Sequence, residues 1–330
     1  GNVVLDEPRT QMTDAIVKWP ERSNHSSVAL PDGSIILMGG YGYDFTYLND
    51  VWRSTDQGAT WTQMTAAADW PRRNNHTSVA LPDGSIVLMG GWDGSNYLND
   101  VWRSEDQGET WTQMTAAAEW GARKDHSSVA LPDGSIVLMG GIGRTSVNVI
   151  YSDVWRSTNQ GETWTKIAAN APWGSKYEHA SVVLPDGSIV LMGGRVDNDV
   201  WRSTNQGETW TPMTAAAEWD GRNNHSSVAL SDGSIVLMGG GCVVESALRP
   251  VNDVWHSTDQ GATWTQMTAA AEWSIRSGHS SVVLPDHSII LMGGTGYVGY
   301  RNDVWRSTNL GANWIPLPDG LKLFLPLILR

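Results

Sequence analysis

The sequence predicts an all-β fold, a six-bladed β-propeller with four antiparallel strands per blade, on three observations. The tract NDVWRSTDQGATW, residues 49–61, returns with small changes down the whole chain. The Trp that closes it stands at Trp61, Trp111, Trp164, Trp210, Trp264 and Trp314, a period of about 50 residues, which suits a four-stranded blade. Each unit consists of short β-branched and apolar runs punctuated by Gly, Pro and Asp, with no amphipathic helical period.

Each unit reads in order as four strands, a to d, counted from the propeller axis to its rim. HSSVAL is strand a, and PDG after it forces a turn. SIVLMGG is strand b, apolar on both faces as a sheet packed on both sides requires. NDVWRS is strand c, and TWTQM is strand d beyond a DQGA turn whose Gly permits the bend. The AAAEW segment that follows is too short to stand as a helix. One domain, 1–330, then carries blades at 22–64, 73–114, 123–167, 176–213, 222–267 and 276–317. An additional strand is expected at 8–13, where RTQMT imitates strand d, and an apolar tail at 318–330. A lone sheet leaves both faces wet, and a closed ring of six leaves neither, which explains the repetition.

Composition bounds the rest. The 330 residues hold 19 Trp, 2 Phe and 35 Gly. Eighteen of the Trp fall into three once-per-blade classes: strand c (Trp52 and its equivalents), the end of the opening tract, and the segment before each blade (Trp19, Trp70, Trp120, Trp173, Trp219, Trp273). Blade packing is the simplest use for them. The net charge of −13 argues against nucleic acid or an anionic membrane as partner. No apolar run is long enough to span a bilayer. The opening GNVVLDEPRTQMT has neither the basic start nor the apolar core of a signal peptide. The single cysteine, Cys242, excludes an internal disulfide framework.

From about residue 9 to 317 the chain resembles kelch-repeat six-bladed propellers, through Gly39 and Gly40, Trp52 and Trp61 and their repeats. The motif S-x-D-x-G-x-x-W, Ser54 to Trp61, is similar to the Asp-box turn of sialidases and related secreted propellers. That resemblance implies a structural turn on the side away from the ligand, and an extracellular or cell-surface location. Its acidic position is Asp56, Asp106 and Asp259 in three blades, and Asn159, Asn205 and Asn309 in the other three. An amide suits a turn-stabilising acceptor and not a catalytic carboxylate.

Function is sought where the copies disagree. Alternating strands place the b–c and d–a connections on one face, and the near-invariant PDG and Asp-box turns on the other. The b–c segments vary from RVD to GCVVESALRPV, and nearly all the Tyr fall in them. Rigid aromatics among Gly and Ser are the chemistry of recognition surfaces. Trp92, Tyr43, Tyr97, Tyr300 and, in a d–a segment, Tyr177 are therefore the expected ligand contacts. A second layer is basic: Arg22, Arg73, Arg123, Lys176, Arg222 and Arg276 each stand three residues after the pre-blade Trp, with a His three further on. Placed around the channel mouth, the arginines would attract an anionic ligand. Capping carbonyls or pairing with nearby Asp or Glu is the structural use of the same residues.

The expectation is a non-catalytic recognition propeller, monomeric or associated through its tail, without metal or cofactor, whose ligand is an anionic glycan or a peptide. The enzyme alternatives are a sialidase-like hydrolase or a sugar epimerase or isomerase. The first is disfavoured because its arginines would come from unique positions, whereas these belong to the repeat. A copper oxidase needs ligands around Cys242 that GCVVESA does not offer. No phosphate-binding Gly loop, Ser-His-Asp order or zinc spacing appears.

Overall fold

The computed structural model describes residues 18–144, 146–244 and 247–318. The strand expected at 8–13, and the tail from residue 319 on, lie outside the described residues. Within them the chain forms six four-stranded antiparallel units arranged around an axis. In blade 1 the order is Ser26–Ala29, Ile35–Gly42, Tyr47–Ser54 and Thr62–Thr65. Each innermost strand contacts the innermost strands of both neighbouring blades, and that of blade 1 meets that of blade 6. Blade 6 takes its outer strand from Ile315–Pro316, which pairs with Trp305 and Arg306.

The core is divided into six clusters, and each lies between two blades. Ile36, Met38 and Val51 of blade 1 pack with Trp70, Ile86, Leu88 and Trp111 at the seam to blade 2. Ile35 and Leu37, alternate residues of the same strand, pack instead at the seam to blade 6. Strand b is apolar on both faces because each face belongs to a different seam. The pre-blade Trp meets the strand-d Trp of the blade it precedes edge-to-face, as Trp70 and Trp111 do at 5.9 Å between centroids.

Two turns close each blade below. Asp32 Oδ1 accepts from the Ser34 N–H at 2.9 Å and from its hydroxyl, holding the a–b turn. In the c–d turn Ser54 Oγ accepts from the Gly58 N–H at 2.8 Å, while Asp56 accepts from the Thr60 N–H at 2.8 Å and its hydroxyl at 2.6 Å. Where the acid is Asn159 the same turn survives: Oδ1 accepts from the Thr163 N–H at 3.0 Å and Nδ2 donates to the Thr163 hydroxyl at 2.9 Å. The residue type is used for acceptor geometry and not for charge.

Above, the double glycine sets the entry to the variable face. Gly39 (φ +57°) is the bulged residue between the pairs Met38↔Val51 and Gly40↔Leu48. At Gly40 (φ +103°) a Cβ would stand 2.8 Å from the Ser23 carbonyl, so only glycine lets the strand pass the incoming d–a segment. Beyond the bulge the b–c segments, expected as loops, continue as hairpins in most blades. Strands Ile86–Trp92 and Tyr97–Ser104 of blade 2 pair out to Trp92↔Tyr97. Blade 4, with only Arg195–Asp197, has no such extension.

Candidate functional site

The hairpins of blades 6, 1 and 2 bring five aromatic rings into one row. Tyr300 of blade 6 meets Tyr41 of blade 1 at 6.0 Å, and Tyr41 meets Tyr47 at 4.9 Å. The Tyr47 hydroxyl accepts from the Trp92 indole N–H at 3.2 Å, and Trp92 meets Tyr97 at 4.8 Å. Period two puts Tyr41 and Tyr47 opposite each other on one hairpin face, and ring closure puts blade 6 beside blade 1. Phe45 touches Tyr41 at 6.4 Å and is itself 73% exposed. Tyr43, Tyr297 and Val298 crown the same two hairpins, all with most of their surface in solvent. The loop acids are occupied: Asp93 accepts from the Ser95 and Asn96 N–H groups, and Asp44 from Thr46.

Of the residues expected as contacts, Trp92, Tyr97 and Tyr300 therefore lie in one array, with Tyr43 exposed beside it. Tyr177 does not join them; no ring contact involves it among the described residues, and its carbonyl accepts from the Arg195 N–H. Tyr41 and Tyr47 were not singled out as anchors, although they are the links that make the row continuous. Their signal was the strand alternation, hidden because the segment reads as a loop.

The basic ring requires a correction. Arg22, Arg73, Arg123, Arg222 and Arg276 are completely buried and offer no surface to a ligand. Each grips the Asp of its own blade's NDVW tract. Arg22 reaches both oxygens of Asp50 at 2.6 Å, and the others hold Asp100, Asp153, Asp253 and Asp303 in the same way. The guanidinium also donates to the carbonyl of the bulged glycine, as Arg22 does to Gly39 at 2.8 Å. The Asp takes a third bond from the strand-c indole, Trp52 to Asp50 at 2.7 Å, and the arginine lies 5.9 Å from the Trp19 ring. In blade 4 Lys176 makes the substitute pair with Asp197 and Asp199 at 2.8 Å. An anion-attracting ring is thereby removed, and each arginine ties three segments of one blade together: the d–a segment, the bulged end of strand b and strand c.

At the axis the residues preceding the histidines form the channel mouth. Asn24, Asn75, Asp125, Glu178, Asn224 and Gly278 all have left-handed backbones. The N–H of each donates to the carbonyl of its counterpart one blade back, at 2.8–3.0 Å, and Asn24 to Gly278 completes the circle. Their side chains line a cavity of about 130 Å³ together with the six histidines. Those histidines are buried. Burial, then the neighbouring arginine or lysine charge, pushes their pKa values down, to about 3 for His179 and His279. Four bond a hydroxyl across the seam: His76 to Ser26, His126 to Thr77, His179 to Ser127 and His25 to Ser280, at 2.8–2.9 Å.

Among the described residues no group of three or more His, Cys, Asp or Glu is arranged to hold a metal. Cys242 is buried, and burial raises its thiol pKa to about 11. No helix there is long and apolar enough to cross a membrane.

Comparison with known proteins agrees with this architecture. Residues 8–194 match the family model described as the KLHDC2/KLHL20/DRC7 Kelch-repeats domain. Residues 152–291 match a model described as Sortilin, neurotensin receptor 3. None of the curated proteins matches the chain. The solved structure of YjhT superposes with a TM-score of 0.73 at 15% identity, covering 92% of this chain and 99% of that one, a likeness of fold. With more than half its length matched by the kelch model, and with six kelch-type blades closed around an axis, the chain belongs to the kelch-repeat family.

Proposed function

We propose that the propeller is a recognition module whose ligand lies across the aromatic row of blades 6, 1 and 2. The observation that carries this reading is the unbroken contact from Tyr300 through Tyr41, Tyr47 and Trp92 to Tyr97. A packing role does not call for it, because the seams are already filled by the repeated Trp, Ile, Leu and Met. The ligand class is a protein or peptide segment. Four large side chains, Tyr43, Phe45, Tyr297 and Val298, stand exposed around the row, an apolar crown suited to side-chain docking. The anionic character expected of the ligand rested on the arginine ring and goes with it. A glycan is the second reading, favoured by the Trp92–Tyr97 pair beside Asn96 at the hairpin tip.

A peptide library and a glycan array, both probed with the whole chain, separate these classes. Trp92→Ala and Tyr300→Ala should each cost the selected ligand about 2 kcal/mol, roughly thirtyfold in Kd. Titration of both variants by calorimetry checks this. Parent-like affinity in both would place the ligand elsewhere.

A further inference from the structure

Strand d of blade 6 lacks the onward path that strand d has in blade 1. There the chain runs on from Thr65 across the upper face to Trp70, which fills the next seam, and Asn49 Nδ2 donates to the Trp70 carbonyl at 3.3 Å. At blade 6 that path is already taken. Trp19 fills the seam, completely buried, and Asn302 Nδ2 donates to its carbonyl at 3.2 Å. Leu317 still belongs to the blade, its N–H bonded to the Val304 carbonyl at 2.8 Å and its side chain packed on that seam. Val304 opens strand c just below the hairpin that pairs Thr295 with Tyr300. Strand d thus delivers the chain to the upper rim beside this hairpin.

The hairpins of blades 6 and 1 carry the apolar crown at this point. Tyr297 and Val298 stand on one and Tyr43 and Phe45 on the other, with Val298 81% exposed, and the contact of Tyr300 with Tyr41 at 6.0 Å joins the two. An exposed apolar cluster of this kind calls for a cover. Residues 319–330, outside the described residues, read DGLKLFLPLILR, apolar but for Asp319, Gly320, Lys322 and Arg330. Extended, they reach up to about 40 Å, at roughly 3.3 Å per residue, whereas a four-stranded blade is only about 15 Å from outer to inner strand. Charge agrees, since Glu21 and Asp44 are exposed beside Tyr43 and Phe45, and the segment brings Lys322 and Arg330.

We propose that the segment 319–330 folds back over the crown of blades 6 and 1 and occupies the recognition face of its own chain, as an internal competitor of the ligand. The assignment rests on the recognition face proposed above and names its resting occupant. The outer edge of strand d is a poorer berth, because Pro316 has no N–H and the Trp314 N–H is held by the Glu272 carboxylate at 3.0 Å. A short tether gives an effective concentration of about a millimolar, so an intrinsic Kd of about 0.1 mM suffices to cover the face most of the time and to weaken a competitor about tenfold.

The test compares the parent with a whole chain carrying Phe324→Asp and Leu325→Asp, the probe being a fluorescein-labelled synthetic peptide of residues 319–330. Fluorescence anisotropy should show saturable binding to the variant and about tenfold weaker binding to the parent, whose own segment competes. Phe45→Asp and Val298→Asp, added to the variant, should abolish it in a chain that circular dichroism shows to be folded. Hydrogen exchange across residues 41–47 and 295–300 should be slower in the parent than in the variant, at every protein concentration. Absence of peptide binding to the variant, equal binding by variant and parent, binding that survives the crown substitutions, or protection that grows with protein concentration and so comes from a second copy would each overturn the assignment. No external ligand enters these measurements. Their failure therefore leaves the aromatic row to its own test with Trp92→Ala and Tyr300→Ala, and failure of that test leaves these results standing.

Discussion

The Arg73 guanidinium closes on both carboxylate oxygens of Asp100 at 2.7 Å and also donates to the Gly90 carbonyl at 2.8 Å, without exposure to solvent. Removing the arginine alone would strand a buried carboxylate and a buried carbonyl. Arg73→Ala should therefore lose about 3–5 kcal/mol of stability, read from urea unfolding. Arg73→Ala with Asp100→Asn should recover part of it. Any ligand of the aromatic row should bind the folded variants as it binds the parent. A variant with unchanged stability and weakened binding would return the arginine to the ligand.

The seam between blades 4 and 5 lacks the hydroxyl that His225 would bond, because Ala180 holds the position occupied by Ser26 in the first seam. Ala180→Ser restores it at the cost of one small atom. The expected gain is about 1 kcal/mol, the typical net worth of a hydrogen bond, seen as a higher urea midpoint with an unchanged slope. A neutral or negative change would mean that the bond does not form there, as it does not between Ser226 and His279.

Acid should unfold the protein early. The six channel histidines have folded pKa values below the usual 6.5 of a free imidazole, through burial first and then through neighbouring cations. The unfolded chain therefore binds protons that the folded chain does not, and stability falls as pH drops below about 6.5, continuing toward pH 3, at up to about 1.4 kcal/mol per histidine per pH unit. Asp125 and Glu178, raised by burial, act in the opposite sense, but they are two against six. The urea midpoint measured from pH 7.5 to 4.5 should decline steadily from about 6.5. A plateau down to pH 5 would show that the histidines are not held neutral by the fold.

Most of the architecture was legible because it is stated once per blade. The Trp61 series gave the period, and the tolerance of Asn159 for Asp56 separated a turn acceptor from a catalytic acid. The same repetition misled at Arg73. A basic residue beside the axis reads equally as a ligand contact or as a structural pair, and its partner, Asp100, is 27 residues away on a strand whose register the sequence does not declare. Trp92 and Tyr300 stood out as departures from the repeat. Tyr41 and Tyr47, which connect them, could be placed only by the hairpin pairing Tyr41↔Tyr47.

The central claim is that recognition resides in the non-repeated hairpins, and a loop exchange tests it most directly. Replacing WDGSNYL of blade 2 by RVD of blade 4 removes Trp92 and Tyr97 and leaves the repeat intact. The short loop carries its own requirement, because the Val196 carbonyl lies against Gly221 where a Cβ would collide with it. Ala122 holds the equivalent position before blade 3, so the exchange needs Ala122→Gly as well. With that companion change the chain should unfold cooperatively near the parent's Tm. Its affinity for the peptide or glycan selected on the parent should fall about thirtyfold or more, as loss of a principal anchor implies. A folded exchange variant that binds the selected ligand as tightly as the parent would contradict the claim.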